Sequence, residues 1–436
     1  MNYVCSSCDE EYNKWVGQCT NCKSWNTVIR DVFEKKKVSK ASKPLAMSKI
    51  VKTADIKKNK TNINEFDRVL GGGLVEGMAC LLGGEPGIGK STILSQIAIN
   101  FCAYGKVLYV SGEESLSQIS LRIERLGLFS ENLFILPTNS LESIFEAILT
   151  EKFVLIIVDS IQTISSIDIN GAPGSVSQVR HCSIQLINLL KEKNISLFII
   201  GHVTKDGSIA GPRVLEHMVD TVLYFQNEIS NRFRLLKVYK NRFGPTGELG
   251  VFSMQSKGLV SVKNPSAIFL SQFEYNKPGT AIASIWHGTR PLLIEIQALA
   301  EIDKNNNKII SVGYDTNRLA MLVAVIEKYT KIKISNVFLN VVGGIKVNET
   351  SIDLAVCFAI VSSINNTVLK NKTIFMGEVG LAGEIRPVAY GQERIKEAKK
   401  IGFESIVLHE KNLNKLDKND ESFITIKSIA ELIKLS

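Results

Sequence analysis

The chain has 436 residues, 45% hydrophobic and 22% charged, with a formal net charge of +9. Such a length implies two or three domains, and the balance is that of globular material able to bury sizeable cores. No apolar run approaches the roughly 18 residues needed to span a bilayer, and residues 1–12 carry no secretory signal, so cytoplasmic residence and no membrane contact are expected.

The positive charge is local. Ten lysines against Asp31, Glu34 and Asp55 fall between residues 31 and 60, residues 1–30 balance, and the remainder is nearly neutral. Residues 31–55 read as a basic linker. Two roles stay open for it, a solvated connector or a mobile arm on nucleic acid.

Residues 1–30 form a cysteine-rich unit. Cys5-x-x-Cys8 and Cys19-x-x-Cys22 each place two thiolates on one tight turn, and together they close a tetrahedral sulfur shell for Zn²⁺ with no open position. Trp15 and Trp25 are expected to pack its small core, which folds around metal. Cys80, Cys102, Cys182 and Cys357 are scattered and read as buried hydrophobes in a reducing compartment.

An α/β pattern follows. Helices are expected over 64–70, 91–102, 117–126, 141–149 and 182–191, and strands over 78–82, 107–110, 133–136, 153–158 and 195–200. Strands alternating with helices at this spacing give a parallel sheet covered on both faces. Short β segments at 221–225, 233–239 and 250–254 extend it. A second α/β region occupies 264–436, with strands at 281–286, 292–297, 337–342 and 405–408, helices at 318–328, 352–364 and 392–401, and a hairpin over 374–388. No internal repeat is present.

The turn after the first strand is Gly84-Glu85-Pro86-Gly87-Ile88-Gly89-Lys90-Ser91, followed by Thr92, and it fits G-x-x-x-x-G-K-[ST] at every fixed position. Its backbone N–H groups and the helix N-terminus favour phosphate, Lys90 neutralises β/γ charge, and Ser91 ligates Mg²⁺. ATP and Mg²⁺ are therefore expected. Asp159 ends a buried strand and is the natural second Mg²⁺ partner. Glu113 and Glu114 follow the strand at 107–110, where a glutamate can orient and deprotonate the attacking water. Glu114 is favoured and Glu113 is the alternate. His202, just past the strand at 195–200, is either a structural histidine or a sensor of nucleotide state.

Several segments resemble the bacterial RadA (Sms) family. They are Gly72-Gly73-Leu74, Tyr109-Val110-Ser111-Gly112-Glu113-Glu114-Ser115, Gly201-His202-Val203-Thr204-Lys205 and the pentapeptide Lys240-Asn241-Arg242-Phe243-Gly244. The likeness covers essentially the whole chain. It implies a four-cysteine zinc finger (1–30), a RecA-like P-loop ATPase core (56–263) and a Lon-protease-like α/β domain (264–436). It also implies a homo-hexameric ring, a DNA-dependent ATPase translocating on single-stranded DNA, branched recombination intermediates as substrates, and the RecA recombinase as a partner. Lys240 and Arg242 then read as cations reaching a neighbouring subunit's γ-phosphate, although a solvated sheet edge is their bland alternative. Channel loops over 165–179 and 205–213 would bring Arg180, Lys205 and Arg213 to DNA.

In the last region, Gly377 to Gly383 and Pro387 match the Lon pattern. That alignment puts Gln392 where a catalytic lysine belongs and Ser351 at the nucleophile position. Gln392 cannot accept a proton, Lys396 lies a helical turn further on, and Ser351 reads as a helix N-cap. The domain is thus expected not to cut peptides, with Lys346, Arg386 and Arg394 as phosphate-binding candidates. An ATP-dependent protease and a non-translocating ATP switch on the same core are the competing functions.

Overall fold

The computed structural model describes residues 3–5, 11–12, 14–25, 28–30, 57–127, 129–202, 212–227, 233–266, 270, 277–302, 308–369, 372–414 and 420–435. Met1–Ile56 and Lys57–Ser436 are two compact units. In the first, strand Tyr3–Cys5 pairs antiparallel with Glu11–Tyr12 and with Val28–Arg30. Cys19 and Val28 form its buried core, flanked by Tyr12, Val16 and Cys22. Trp15 and Trp25, expected inside, are 57% and 70% exposed. They sit beside Gly17, because so small a sheet encloses a thiol and a valine but no indole. The linker expected at 31–55 lies outside the described residues.

The second unit opens on a nine-stranded sheet. Its strands are β1 (Ala79–Gly84), β2 (Lys106–Ser111), β3 (Leu133–Pro137), β4 (Phe153–Asp159), β5 (Ser196–His202), β6 (Thr221–Asn227), β7 (Phe233–Asn241), β8 (Leu249–Gln255) and β9 (Gly258–Ser261). Their spatial order is β9-β8-β7-β6-β1-β5-β4-β2-β3. From β6 to β3 all pairings are parallel, and β6 to β9 pair antiparallel. The apolar runs explain the double cover. Cys80, Leu82, Tyr109, Ile157 and Ile200 enter one core with helix Lys90–Phe101. Their neighbours Leu81, Val110, Ile156 and Ile199 enter another with helices Leu141–Thr150 and Val176–Glu192. This is the period of two of strands buried on both faces.

The helix expected to start at residue 182 starts at Val176. Ser175 caps it by accepting from the Gln178 amide. The buried Gln178 side chain donates to the carbonyls of Ser166, Ile169 and Gly171, which fixes the preceding loop. Polar Ser177, Gln178 and His181 hid the apolar period there. Arg180 consequently lies on the exposed side of a helix and not beyond a loop.

The remainder builds a mixed seven-stranded sheet, in the order Lys308–Val312, Ile334–Val341, Arg290–Ile302, Thr280–His287, Thr373–Met376, Ser405–Leu408, Phe423–Thr425. Helix Asp353–Asn365 packs against it, buried from Asp353 through Ser362. The hairpin expected over 374–388 is shorter. Thr373–Met376 runs parallel to Ser405–Leu408 inside the sheet, and only Glu378–Val379 pairs with Ile385–Arg386.

Candidate nucleotide site

β1 ends at Gly84 and helix Lys90–Phe101 begins after the turn 85–89. Gly89 has φ +115°, a left-handed conformation, and a Cβ there would lie 2.9 Å from Met254. The buried Lys90 ammonium donates to the carbonyls of Gly84 at 2.7 Å and Glu85 at 2.9 Å. Burial lowers its pKa to about 8, opposed by the carboxylates of Asp159, Glu113 and Glu85. Pro86, Gly87, Ser91, Thr92, both Glu113 and Glu114, Arg122 and His202 border an open cleft of about 660 Å³ beside it. Ile88 is buried beneath the turn.

Asp159, nearly buried at the end of β4, accepts from the Tyr109 hydroxyl at 2.5 Å. Arg122 organises the far side. Its guanidinium donates to Tyr109 Oη at 3.2 Å, Ser95 Oγ at 3.0 Å and Glu114 Oε1 at 2.7 Å. Burial, and then the Asp159 charge, push the Tyr109 phenol well above its ordinary range, so it stays a donor. Glu114, favoured from sequence, is therefore occupied by Arg122. Glu113 accepts from Ser160 Oγ at 2.6 Å, lies 3.3 Å from His202 Nε2, and helps raise the pKa of Lys90. Sequence reasoning missed Tyr109 and Arg122 as site residues. The signal was present, since Arg122 shares the buried face of helix Leu116–Leu126 with Ile119, Ile123 and Leu126.

The pentapeptide closes β7 at the other end of the sheet. Asn241 pairs with Thr221, and Thr221 with Cys80. Cys80 is four residues before Gly84, a separation of about 13 Å along the strand. Lys240 and Arg242 are thus remote from their own P-loop. Lys240 Nζ donates to the carbonyls of Val219 at 2.7 Å and Glu216 at 2.8 Å. Burial, and then the charge of Arg242, lower its pKa. Arg242 meets Asp220 at 3.0 Å while half its side chain stays exposed. Asn241 donates to the Leu70 carbonyl, Lys58 donates to the Phe243 carbonyl, and a Cβ on Gly244 would lie 2.9 Å from Gly71 Cα. Arg234, at the near end of β7, donates to the P-loop carbonyl of Ile88 at 3.1 Å, a contact no sequence pattern announced.

The other candidates are dispersed. Lys205 and residues 203–211 lie outside the described residues, as does the side chain of Arg213. Lys346 is exposed. Arg386 is exposed but paired with Glu384 and Glu378. Arg394, expected at a phosphate surface, is 1% exposed. It donates to Ala389 O at 2.9 Å, Glu349 Oε2 at 2.9 Å and Ser351 Oγ at 3.1 Å. Ser351 is not an N-cap, because Ile352 holds that position and the Ser351 hydroxyl donates to the Ser284 carbonyl. Gln392 donates to the Asn412 carbonyl at 2.7 Å. In the first unit, the Cys22 amide donates to Cys19 Sγ at 3.4 Å, the bond that favours a thiolate on such a turn. Cys8 and the side chain of Cys5 lie outside the described residues.

A doubly wound sheet with a G-x-x-x-x-G-K-S turn between β1 and its helix, and an acidic strand end beside it, defines a RecA-like P-loop ATPase. A family model for the AAA domain matches residues 43–208, one for subunit ChlI of Mg-chelatase matches 315–412, and one for the rubredoxin metal binding domain matches 3–29. DNA repair protein RadA of Bacillus subtilis is 43% identical over 100% of this chain and 98% of its own length. Those of Pseudomonas aeruginosa and Escherichia coli are 45% and 42% identical over 93% and 99% of this chain, and over 92% and 97% of their own lengths. The chain belongs to the RadA family. Among the described residues, no helix is long and apolar enough to cross a membrane.

Proposed function

We propose that this protein is a cytoplasmic, DNA-dependent ATPase of DNA repair and homologous recombination, moving on single-stranded DNA as a homo-hexameric ring to process branched intermediates, with the RecA recombinase as partner. The full-length likeness to RadA, with an intact P-loop, carries this reading. In it, residues 1–30 are a zinc finger, 56–263 the motor and 264–436 a non-proteolytic accessory domain.

Within the site, Lys90 leaves its loop carbonyls for the β/γ-phosphates, and Ser91 and Asp159 hold Mg²⁺, which would neutralise phosphate charge. Glu113 orients water and takes its proton, while His202 relays its state toward the 203–211 segment. Lys240 and Arg242 lie too far from their own P-loop to act there, so they serve the next subunit. Arg180, Lys205, Arg213 and Lys346 meet DNA phosphates, and Arg386 joins them on release from its two glutamates.

The protease alternative is weakened by Ser351. Its hydroxyl donates to a carbonyl and accepts from a guanidinium, and neither group is a base that could deprotonate it. ATP-dependent digestion of an unfolded substrate, lost in Ser351→Ala, would reverse that judgement.

The subunit arrangement is tested by mixing. Arg242→Ala should bind ATP but hydrolyse it poorly, and mixtures with Lys90→Ala should regain activity at interfaces that keep both groups. Mixtures that co-assemble without regaining activity contradict a finger acting in trans.

A further inference from the structure

The turn 242–248 that carries Arg242 is held by a cluster of two buried glutamates and two partly buried arginines, one arginine coming from the C-terminal region. Glu248 closes the turn: its carbonyl accepts from the Val238 amide, while the neighbouring Gly247 amide donates to the Val238 carbonyl, and its side chain is fully buried against the Arg68 guanidinium. Arg68 also donates to Glu65 at 3.1 and 3.2 Å. Arg290, the first residue of strand Arg290–Ile302, meets the same Glu65 with both ends of its fork, at 2.9 and 3.1 Å. The Val251 amide supplies a further donor. The adjoining Gly288 has φ +63° and packs on the Glu248 carboxylate, where a Cβ would come within 2.4 Å.

The charges account for one another. Burial raises the Glu65 pKa, but Arg68 and Arg290 outweigh it and the net shift is downward. Burial and the like charge of Arg68 depress Arg290, against the attraction of Glu65 and Glu248. Removing either arginine leaves a buried glutamate with less compensation for its charge. Arg68 itself divides its donors among Glu65, Glu248 and the Leu249 carbonyl. The second, bidentate arginine adds a geometric constraint that a simple ion pair lacks.

We propose that Arg290 is a positioning residue for ATP hydrolysis. Through Glu65, Arg68 and Glu248 it holds the 242–248 turn where Arg242 reaches the neighbouring subunit's nucleotide. The C-terminal region thereby sets the finger's placement, an inference that rests on the trans-acting reading of Arg242. A misplacement of about 1 Å at such a group costs up to roughly 100-fold in rate.

The test is steady-state ATPase on the full chain. Arg290→Gln should lower kcat by about 10- to 100-fold and leave the KM for ATP within about twofold. Mixing it with Lys90→Ala should restore activity, as for Arg242→Ala, because its own P-loop is intact. Arg290→Lys keeps the buried charge without the fork. It should give the same pattern with a smaller loss, and it carries the test if thermal unfolding shows that Arg290→Gln does not fold. Full activity in both variants, or a loss that mixing does not restore while Arg242→Ala is restored, overturns the positioning role alone. Failure of Arg242→Ala to be restored overturns the finger reading and this inference together.

Discussion

The guanidinium of Arg122 lies 2.7 Å from the carboxylate of Glu114. Both glutamates border the cleft, but that contact ties Glu114 to an arginine, whereas Glu113 accepts from Ser160 and lies 3.3 Å from His202.

Glu113→Gln should therefore lower ATP turnover by about 100-fold or more, the usual worth of a general base. Glu114→Gln should cost less activity and show up mainly in stability, by about 1–3 kcal/mol for a weakened charged hydrogen bond. Comparative ATPase assays and thermal unfolding decide this. The reverse ranking would restore Glu114 as the base.

Tyr109→Phe removes only the hydroxyl that orients Asp159. The loss of one such bond, about 1 kcal/mol, should raise the Mg²⁺ concentration for half-maximal activity about fivefold. Circular dichroism should be unchanged. A Mg²⁺ titration identical to the native one would show that the phenol does not position the carboxylate.

Lys90 links nucleotide binding to pH. Its pKa is lowered to about 8, against about 10.4 for a free lysine. Between these values the unfolded chain holds more protons than the folded one, so this group makes stability rise with pH through that window. A phosphate beside the ammonium favours its charged form. ATP binding at pH 8 should then take up about half a proton per site, measured by calorimetry in buffers of different ionisation enthalpy. Lys90→Met should take up none, and equal uptake by both proteins would exclude Lys90 as the source.

Zinc analysis of the full chain should find about one ion per chain, lost in Cys19→Ser together with protease resistance of residues 1–30. A metal-free protein in which that unit resists proteolysis equally well would contradict the sulfur site.

The P-loop was legible because its chemistry is local: eight adjacent residues bring their own backbone to the phosphate. The sheet was legible from uninterrupted apolar strands such as Phe153–Asp159. The register that puts Lys240 and Arg242 at the far end of β7 was not, since it depends on which strands pair across the sheet. Arg394 was misread for a similar reason. A cation on an amphipathic helix looks solvated until Glu349 and Ser351, more than forty residues away, close around it. Trp15 and Trp25 failed differently: hydrophobicity favours burial, but among the described residues of 1–30 the buried core is only Cys19 and Val28.

Whether the protein is a DNA-dependent ATPase is decided by the rate of ATP hydrolysis with and without single-stranded DNA, in the native protein and in Lys90→Ala. DNA should stimulate the native rate, with a stimulation that weakens steeply as salt is raised, and the variant should lose at least about tenfold with DNA present. A native rate indifferent to DNA, or a Lys90→Ala rate close to native, would contradict that function.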